Sequence, residues 1–384
     1  MNNLKKLISE LCPNGVEYKE IGEIFNVKNG YTPSKKNSEF WENGDIPWFR
    51  MEDIRSNGKI LSDSIQHITK QAVKGSLFKK NSLMVATTAT IGVHALIQTD
   101  FICNQQLTCV TIKEDYEDRL NIKFYFYYFD LVDKECIKIA NQGGGMPIVS
   151  LEKMKKIKVP IPPLEIQSEI VRVLDNFTLH TTEITSKLTA EIIARKKQYE
   201  YYRNLLVKKE KNKCLSNILQ IKNGKDYKAF GIGDIPVYGT GGIIAYTSKF
   251  AYDKPSVLIP RKGSLDKLYF VEEPFWNVDT IFYTEINEEL VIPKYVYYCL
   301  ENEHLEELNT AGGVPSLTQS VLNKVEIYVP SLDEQIDIVN KLDKLNCLIN
   351  DISKSLSTEI DKRQKQYDYY RDQLLSFKEV EINE

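Results

Sequence analysis

The side chains best equipped to grip a ligand are cations, amides and hydroxyls set beside turn-forming residues. "KNGYTPSKK" (Lys28–Lys36) carries three lysines and no acid, ending in Lys35 and Lys36. Arg50 closes "IPWFR", Thr88 sits in "ATTATIG", and Gln105 and Gln106 form the middle of "CNQQL". Later in the chain, Lys225 and Lys228 follow a second "KNG", Thr240 lies in "YGTGG", and Arg261 and Lys262 stand together in "IPRKGS". Arg and Gln make paired hydrogen bonds to base edges, Lys and Arg neutralise phosphates, and Thr does either. The chemistry these types support is therefore recognition of a polyanion. For any single run, a solvated face is an equally ordinary reading.

Residue patterns for bond making and breaking are missing. There is no Asn- or Asp-Pro-Pro-aromatic tetrapeptide and no FxGxG of a methyltransferase; "IPPL" has the prolines without the preceding Asn or Asp. No GxxxxGK[ST] phosphate loop and no Asp…ExK nuclease core is evident. Seven cysteines form no CxxC pair and four histidines no HxxxH, so no metal site is expected and the thiols read as reduced, cytoplasmic ones. No apolar run approaches about 18 residues, so no membrane span is expected. The net charge of −3 does not advertise a nucleic-acid partner, although residues 191–213 hold eight Lys or Arg against three Glu.

The elements that must position these side chains come in duplicate. An offset of 168 aligns residues 147–207 with 315–375 without a gap, and 21 of the 61 positions are identical. "RKKQYEYYRNLL" (Arg195–Leu206) thus returns as "RQKQYDYYRDQL" (Arg363–Leu374). Upstream, the likeness is weaker: "IGEIFNVKNG" echoes "LSNILQIKNG", and "GDIPW" echoes "GDIPV". A period this long marks a duplicated domain rather than a solenoid.

The alike blocks have helical spacing. Ile170, Leu174, Phe177, Ile184 and Leu188 keep a heptad phase, and Ile338, Leu342, Leu345, Ile349, Ile352 and Leu356 repeat it. Pro162 and Pro163 precede the first, while Ser331 with Glu334 offers the second a capping box. The spacing predicts helices from about Leu164 to Val207 and Leu332 to Leu375, packed antiparallel as a coiled coil. Tyr199, Tyr202, Tyr367 and Tyr370 share that spacing and read as packing residues. Arg195, Arg203, Arg363 and Arg371 beside them are candidates for phosphate or partner-subunit contact. The unlike blocks hold short β-type runs such as "SLMVATTATIGVHALI" and "TIFYTEI", separated by Gly, Pro and Asn turns and flanked by helical pieces. The expected fold is α+β: β-rich globules at residues 1–162 and 211–330 alternate with long helices at 163–210 and 331–384, in pseudo-two-fold array.

This layout resembles the specificity (S) subunit of type I restriction-modification systems. The likeness rests on the tandem plan, on "IPPLEIQSEIVRVLD" and "VPSLDEQIDIVNKLD", and on the paired helix endings. It implies two target-recognition domains that read a bipartite, asymmetric double-stranded DNA site, with the helices as spacer. It also implies docking of two methyltransferase subunits, joined by restriction subunits. No cofactor is then expected in this chain; S-adenosylmethionine, ATP and Mg would belong to the partners. A stand-alone nuclease or methyltransferase with an unfamiliar site, and a coiled-coil scaffold without DNA, are the alternatives from the residues alone. In the second globule, setting Gly263 against Gly92 places Arg261 and Lys262 opposite the "TTAT" segment.

Overall fold

Prolines and a serine set the starts of two long helices in the computed structural model, which describes residues 2–141, 145–309 and 312–380. The helices run Leu164–Val207 and Leu332–Leu374, within a residue of the limits the periodicity predicts. The Pro163 carbonyl accepts from the Ile166 and Gln167 amides at 3.0 and 3.1 Å. Ser331 Oγ accepts from the Glu334 amide at 3.4 Å, as an N-cap should. The reciprocal half of the capping box is replaced: the Glu334 carboxylate instead takes the Lys209 ammonium at 2.7 Å.

Two compact units cut across the sequence blocks. One comprises residues 1–185 and 361–384, the other residues 186–360, so each holds one globule and part of each long helix. In the first unit a five-stranded sheet is ordered Phe25–Asn29, Leu107–Ile112, Ser82–Ala86, His94–Ile97, Ile60–Leu61, antiparallel up to a last parallel pair. Ser82–Ala86 and His94–Ile97 are buried on both faces, which is why they read as continuous apolar runs without alternation. The helix Ile122–Ile139 closes one side, with six consecutive aromatics, Phe124 to Phe129, all buried. In the second unit the sheet is ordered Leu219–Asn223, Ile281–Ile286, Ser256–Pro260, Tyr269–Val271, all antiparallel, and the helix Pro293–Leu300 takes the same place.

A buried glutamine ties each long helix to its globule in the same way. Gln167 donates to the Arg119 and Pro162 carbonyls at 2.9 and 2.7 Å and accepts from the Asn121 amide at 2.7 Å. Gln335, 168 residues on, donates to the Leu290 and Pro330 carbonyls at 3.2 and 2.9 Å and accepts from the Ile292 amide at 2.8 Å. Two turns further, Asp175 binds Lys123 and Tyr127, and Asp343 binds Lys294 and Tyr298. The first unit also gathers the tail: the Val16 amide donates to the Lys378 carbonyl at 2.8 Å, and the Val380 amide to that of Val16 at 3.0 Å.

The helices run antiparallel. In the first unit Phe177 stacks on Tyr370 at 5.9 Å and Thr178 Oγ1 meets the Tyr367 hydroxyl at 3.1 Å. In the second, Val207 shares a core with Ile338 and Leu342. The predicted seam is sealed unevenly. Ile170 and Leu174 are fully buried in the first core beside the aromatic helix and Leu374, and Ile338 and Leu342 in the second, so these residues bind helix to globule as well as helix to helix. Ile349 is also buried, and Phe177, Leu188, Leu345 and Leu356 are half-buried. Ile184 and Ile352 stand 38% exposed, belonging to neither core cluster and so lacking cover from a globule. Tyr202, expected to pack, is 41% exposed and touches mainly the neighbouring Tyr201 ring.

Candidate nucleic-acid interface

The backbone of each globule builds the same rim, at the edge where its sheet meets a smaller one. In the first, the small sheet is His67–Ile68, Ile46–Phe49, Ile102–Cys103; in the second it is Gly242–Thr247, Ile235–Gly239, Trp276–Asn277. The Thr87 amide donates to the Gln106 carbonyl at 3.1 Å, the Val149 amide to that of Thr87 at 2.9 Å, and the Ala89 amide to that of Pro147 at 3.0 Å. Correspondingly, Arg261 donates to Thr280 at 2.9 Å, Leu317 to Arg261 at 2.9 Å, and Gly263 to Pro315 at 3.0 Å. Gly263 therefore matches Ala89, not Gly92, and Arg261 and Lys262 match Thr87 and Thr88. This corrects the sequence alignment by three residues. The match is physical: Ala89 and Gly263 both have positive φ, 67° and 88°, at the same bend.

The frame extends across the rim. Tyr31 and Lys225 each donate an amide to the strand opposite, to Cys103 at 2.7 Å and Asn277 at 2.9 Å. Gly30 and Gly224 precede them where an added Cβ would lie 2.1 Å from a carbonyl oxygen, so only glycine fits. An indole then pins each carbonyl, from a different strand: Trp48 Nε1 donates to Tyr31 at 3.0 Å, and Trp276 Nε1 to Lys225 at 2.8 Å.

Of the first globule's candidates, Arg50, Thr88, Gln105 and Gln106 come together here. Gln105 is exposed and its amide oxygen accepts from Thr32 Oγ1, while Gln106 contributes its backbone to the frame. Arg50 is not a free loop cation. It pairs with Glu52 at 2.9 Å, lies over the Trp48 ring, and leaves Nε buried without a partner. Lys35 and Lys36 lie in an exposed turn beyond Thr32. In the second globule, Lys225, Arg261 and Lys262 meet at the rim. Thr240 is engaged inwardly: its hydroxyl lies 2.9 Å from both the Lys262 and Thr280 carbonyls, which leaves it to brace the loops rather than reach outward. Lys228 sits on the turn after Asp226, whose carboxylate accepts its amide at 3.1 Å.

The rim residues that sequence reading missed are Thr32, Asp226 and Asp279. A signal for Asp279 was present: an offset of 174 aligns "FICNQQL" (Phe101–Leu107) with "FWNVDTI" (Phe275–Ile281) and "SLMVATTA" with "SVLIPRKG". The bridges Phe78 to Phe101 and Tyr252 to Phe275 follow that same offset.

The arginines of the helix endings divide. Arg203 and Arg371 turn inward, the first to Glu301 at 3.1 Å over the Tyr199 ring, the second to Asp130 at 3.0 Å over the Tyr367 ring. Burial opposes the Arg371 charge, and Asp130, Asp372 and Asp368 outweigh it, so its pKa lies above the ordinary value. These two hold helix to globule, and with side chains only 12% and 9% exposed they present little cationic surface to a phosphate. Arg195 stays on the helix surface, paired with Glu191 at 2.8 Å, and Arg363 contacts Gln366 at 3.2 Å.

Among the described residues one trio, His94, Asp130 and Asp133, brings potential metal-ligand atoms within 4.8 Å. Most of its donors are engaged: His94 contacts Asp133 Oδ2 at 2.6 Å and the Phe126 carbonyl at 2.7 Å, and Asp130 holds Lys59 and Arg371, while Asp133 Oδ1 is buried without a partner. Two cations already at Asp130 oppose a third. Burial pushes the Cys109, Cys136 and Cys299 thiols up to about 12, so they stay protonated and unreactive.

Comparison with known proteins agrees with this architecture. The family model for the type I restriction modification DNA specificity domain matches twice, over residues 13–194 and 206–362. The type I restriction enzyme EcoprrI specificity subunit of Escherichia coli is 38% identical over 361 residues, covering 88% of this chain and 90% of that one. A putative type I restriction enzyme specificity subunit of Haemophilus influenzae is 29% identical over 98% of this chain and 100% of its own length. Among solved structures, a chain from a study of complex assembly and conformational transition of the type I R-M system aligns with TM-score 0.77 at 15% identity, over 94% of this chain and 98% of that one. The HsdS subunit from Thermoanaerobacter tengcongensis aligns at 0.56 and 15% identity, over 95% and 97%.

Proposed function

We propose that this chain, which belongs to the type I restriction-modification DNA specificity family, reads a bipartite, asymmetric DNA sequence, one half-site per globule. It supplies specificity and not catalysis. The observation that carries the reading is the duplicated rim: one hydrogen-bonded frame that presents Thr88, Gln105 and Tyr31 in one globule and Lys262, Asp279 and Lys225 in the other. An identical frame with different side chains suits two different half-sites. Two methyltransferase subunits dock on the chain, restriction subunits join them, and S-adenosylmethionine, ATP and Mg belong to those partners. The repeated Tyr201 and Tyr369, 64% and 62% exposed at an offset of 168, support a partner bound twice. No described helix is long and apolar enough to cross a membrane, in keeping with work on DNA in the cytoplasm.

The test is methylation mapping in cells that carry the chain with its methyltransferase. Replacing Arg261 and Lys262 by Ala should weaken or relax one half of the methylated motif and leave the other half as it was. If the two side chains touch bases, each truncation should relax one position by about 1–3 kcal/mol; if they touch phosphates, binding should weaken for all sequences alike. Changes in both halves would refute the modular reading.

A further inference from the structure

We propose that Asp279 selects a cytosine in the half-site of the second globule; the inference rests on the reading of this rim as a DNA-facing surface. Asp279 stands at the position of Gln105, since Thr280 and Gln106 accept the equivalent amides of Arg261 and Thr87. The residue is exposed, and among the described residues its carboxylate has no hydrogen bond or ion pair. Cations surround it without neutralising it. The Arg261 guanidinium reaches only the Asp279 backbone carbonyl, at 3.4 Å, and lies over the Phe282 ring at 5.7 Å. Lys225 and Lys262 are exposed on the adjoining loops.

A bare carboxylate on a surface that meets phosphates is repelled unless it faces something else. The base edges are the remaining partner. A carboxylate is acceptor only, so it is repelled by the acceptors of guanine and by thymine O4. Adenine offers its N6 donor beside the N7 acceptor, a mixed edge that suits an amide better than a carboxylate. Cytosine offers the N4 donor with no acceptor beside it. The flanking Arg261, Lys262 and Lys225 offset the cost of bringing a negative group near DNA. In the first globule the same position carries Gln105, whose amide both donates and accepts, so the two rims should differ in base preference here.

The experiment maps the methylated motif of the full complex for wild type, Asp279→Ala, Asp279→Gln, and the Arg261→Ala, Lys262→Ala double variant. Asp279 is exposed, so its variants should fold and melt as wild type does. Expected for Asp279→Ala is relaxation of one cytosine in one half-site, its preference over other bases falling on the order of tenfold. Asp279→Gln should shift that position toward adenine. An unchanged motif, relaxation at a base other than cytosine, or a uniform fall in methylation at all sites would each overturn the assignment. If the double variant also leaves motif and rate unaltered, the rim itself is not the DNA-facing surface; if it alters them while the Asp279 variants do not, only the cytosine assignment fails.

Discussion

The two globules differ most where they are most nearly the same. Their rims share amide-to-carbonyl bonds, a glycine that no other residue can replace and an indole clamp, yet hardly a rim side chain is common to both. Backbone holds the frame and side chains give it content. The contrast with the long helices is instructive. There the side chains themselves form the joints: Gln167 and Gln335, Asp175 and Asp343, Arg203 and Arg371. Those residues recur in the sequence because the joint is made of them. The rims diverge because their joints need almost no side chain at all.

If the helix joints are equivalent, matched substitutions should hurt alike, and the glutamines should hurt most. Gln167→Leu leaves one buried N–H and two carbonyls unpaired, and Gln335→Leu does the same in the second unit. Each unpaired buried group costs about 1–3 kcal/mol, so a loss of about 3–5 kcal/mol is expected from either change in urea unfolding. A large loss from one and none from the other would break the equivalence.

The arginine joints come next. Arg203→Met strands Glu301, and Arg371→Met strands Asp130, both carboxylates roughly a fifth to a quarter exposed. Partial exposure moderates the penalty to about 1–3 kcal/mol. Asp130 keeps Lys59 and Glu301 keeps the Tyr297 hydroxyl, so the two losses should agree within about 1 kcal/mol. Differential unfolding of the two variants checks this, and a wide gap would show that the joints are alike in geometry only.

A third comparison sets the ends of the helices against their middles. Leu174→Ala and Leu342→Ala empty fully buried sites and should cost about 2–5 kcal/mol. Leu188→Ala and Leu356→Ala remove half-buried side chains and should cost about 1–2 kcal/mol. Equal losses by thermal melting would mean that the middle is as well covered as the ends.

The sequence makes the helices legible to within a residue, because proline or serine starts and a heptad phase are local signals. It makes the duplication legible where side chains build the joint, from Gln167 to Arg203. The rim is legible only in part. Arg261 and Lys262 stand out by type, yet alignment sets their partners in the first globule three residues too far along, because a glycine match at Gly92 outweighs the bend at Ala89. A bend with positive φ is a property of backbone, and either Ala or Gly can occupy it. Arg203 and Arg371 mislead for the converse reason. A cation in a basic run looks solvated until the fold supplies Glu301 and Asp130, which lie 98 and 241 residues away along the chain.

The smallest effect should come from a position where the duplication fails. Asp372 in the first unit corresponds to Asn204 in the second, at the same offset of 168. Burial would raise the Asp372 pKa, but hydrogen bonds from Lys134 and Arg371 outweigh it and hold the carboxyl below the ordinary carboxylate range. A depressed folded pKa means stability that is present above the unfolded value, about 3.9, and that is lost as pH falls through the folded value. Asp372→Asn, which copies the second unit, should therefore destabilise at pH 7. The side chain is 37% exposed, so solvent screening keeps the effect under about 1 kcal/mol. The gap between wild type and variant should narrow as the pH falls below the ordinary carboxylate range, where the wild-type carboxyl also neutralises. Urea unfolding at about pH 7, 5 and 3 measures that gap directly across the titration range. A gap that persisted unchanged at the acid end would assign the effect of Asp372 to shape and hydrogen bonding instead of charge, and would remove this electrostatic difference between the two units.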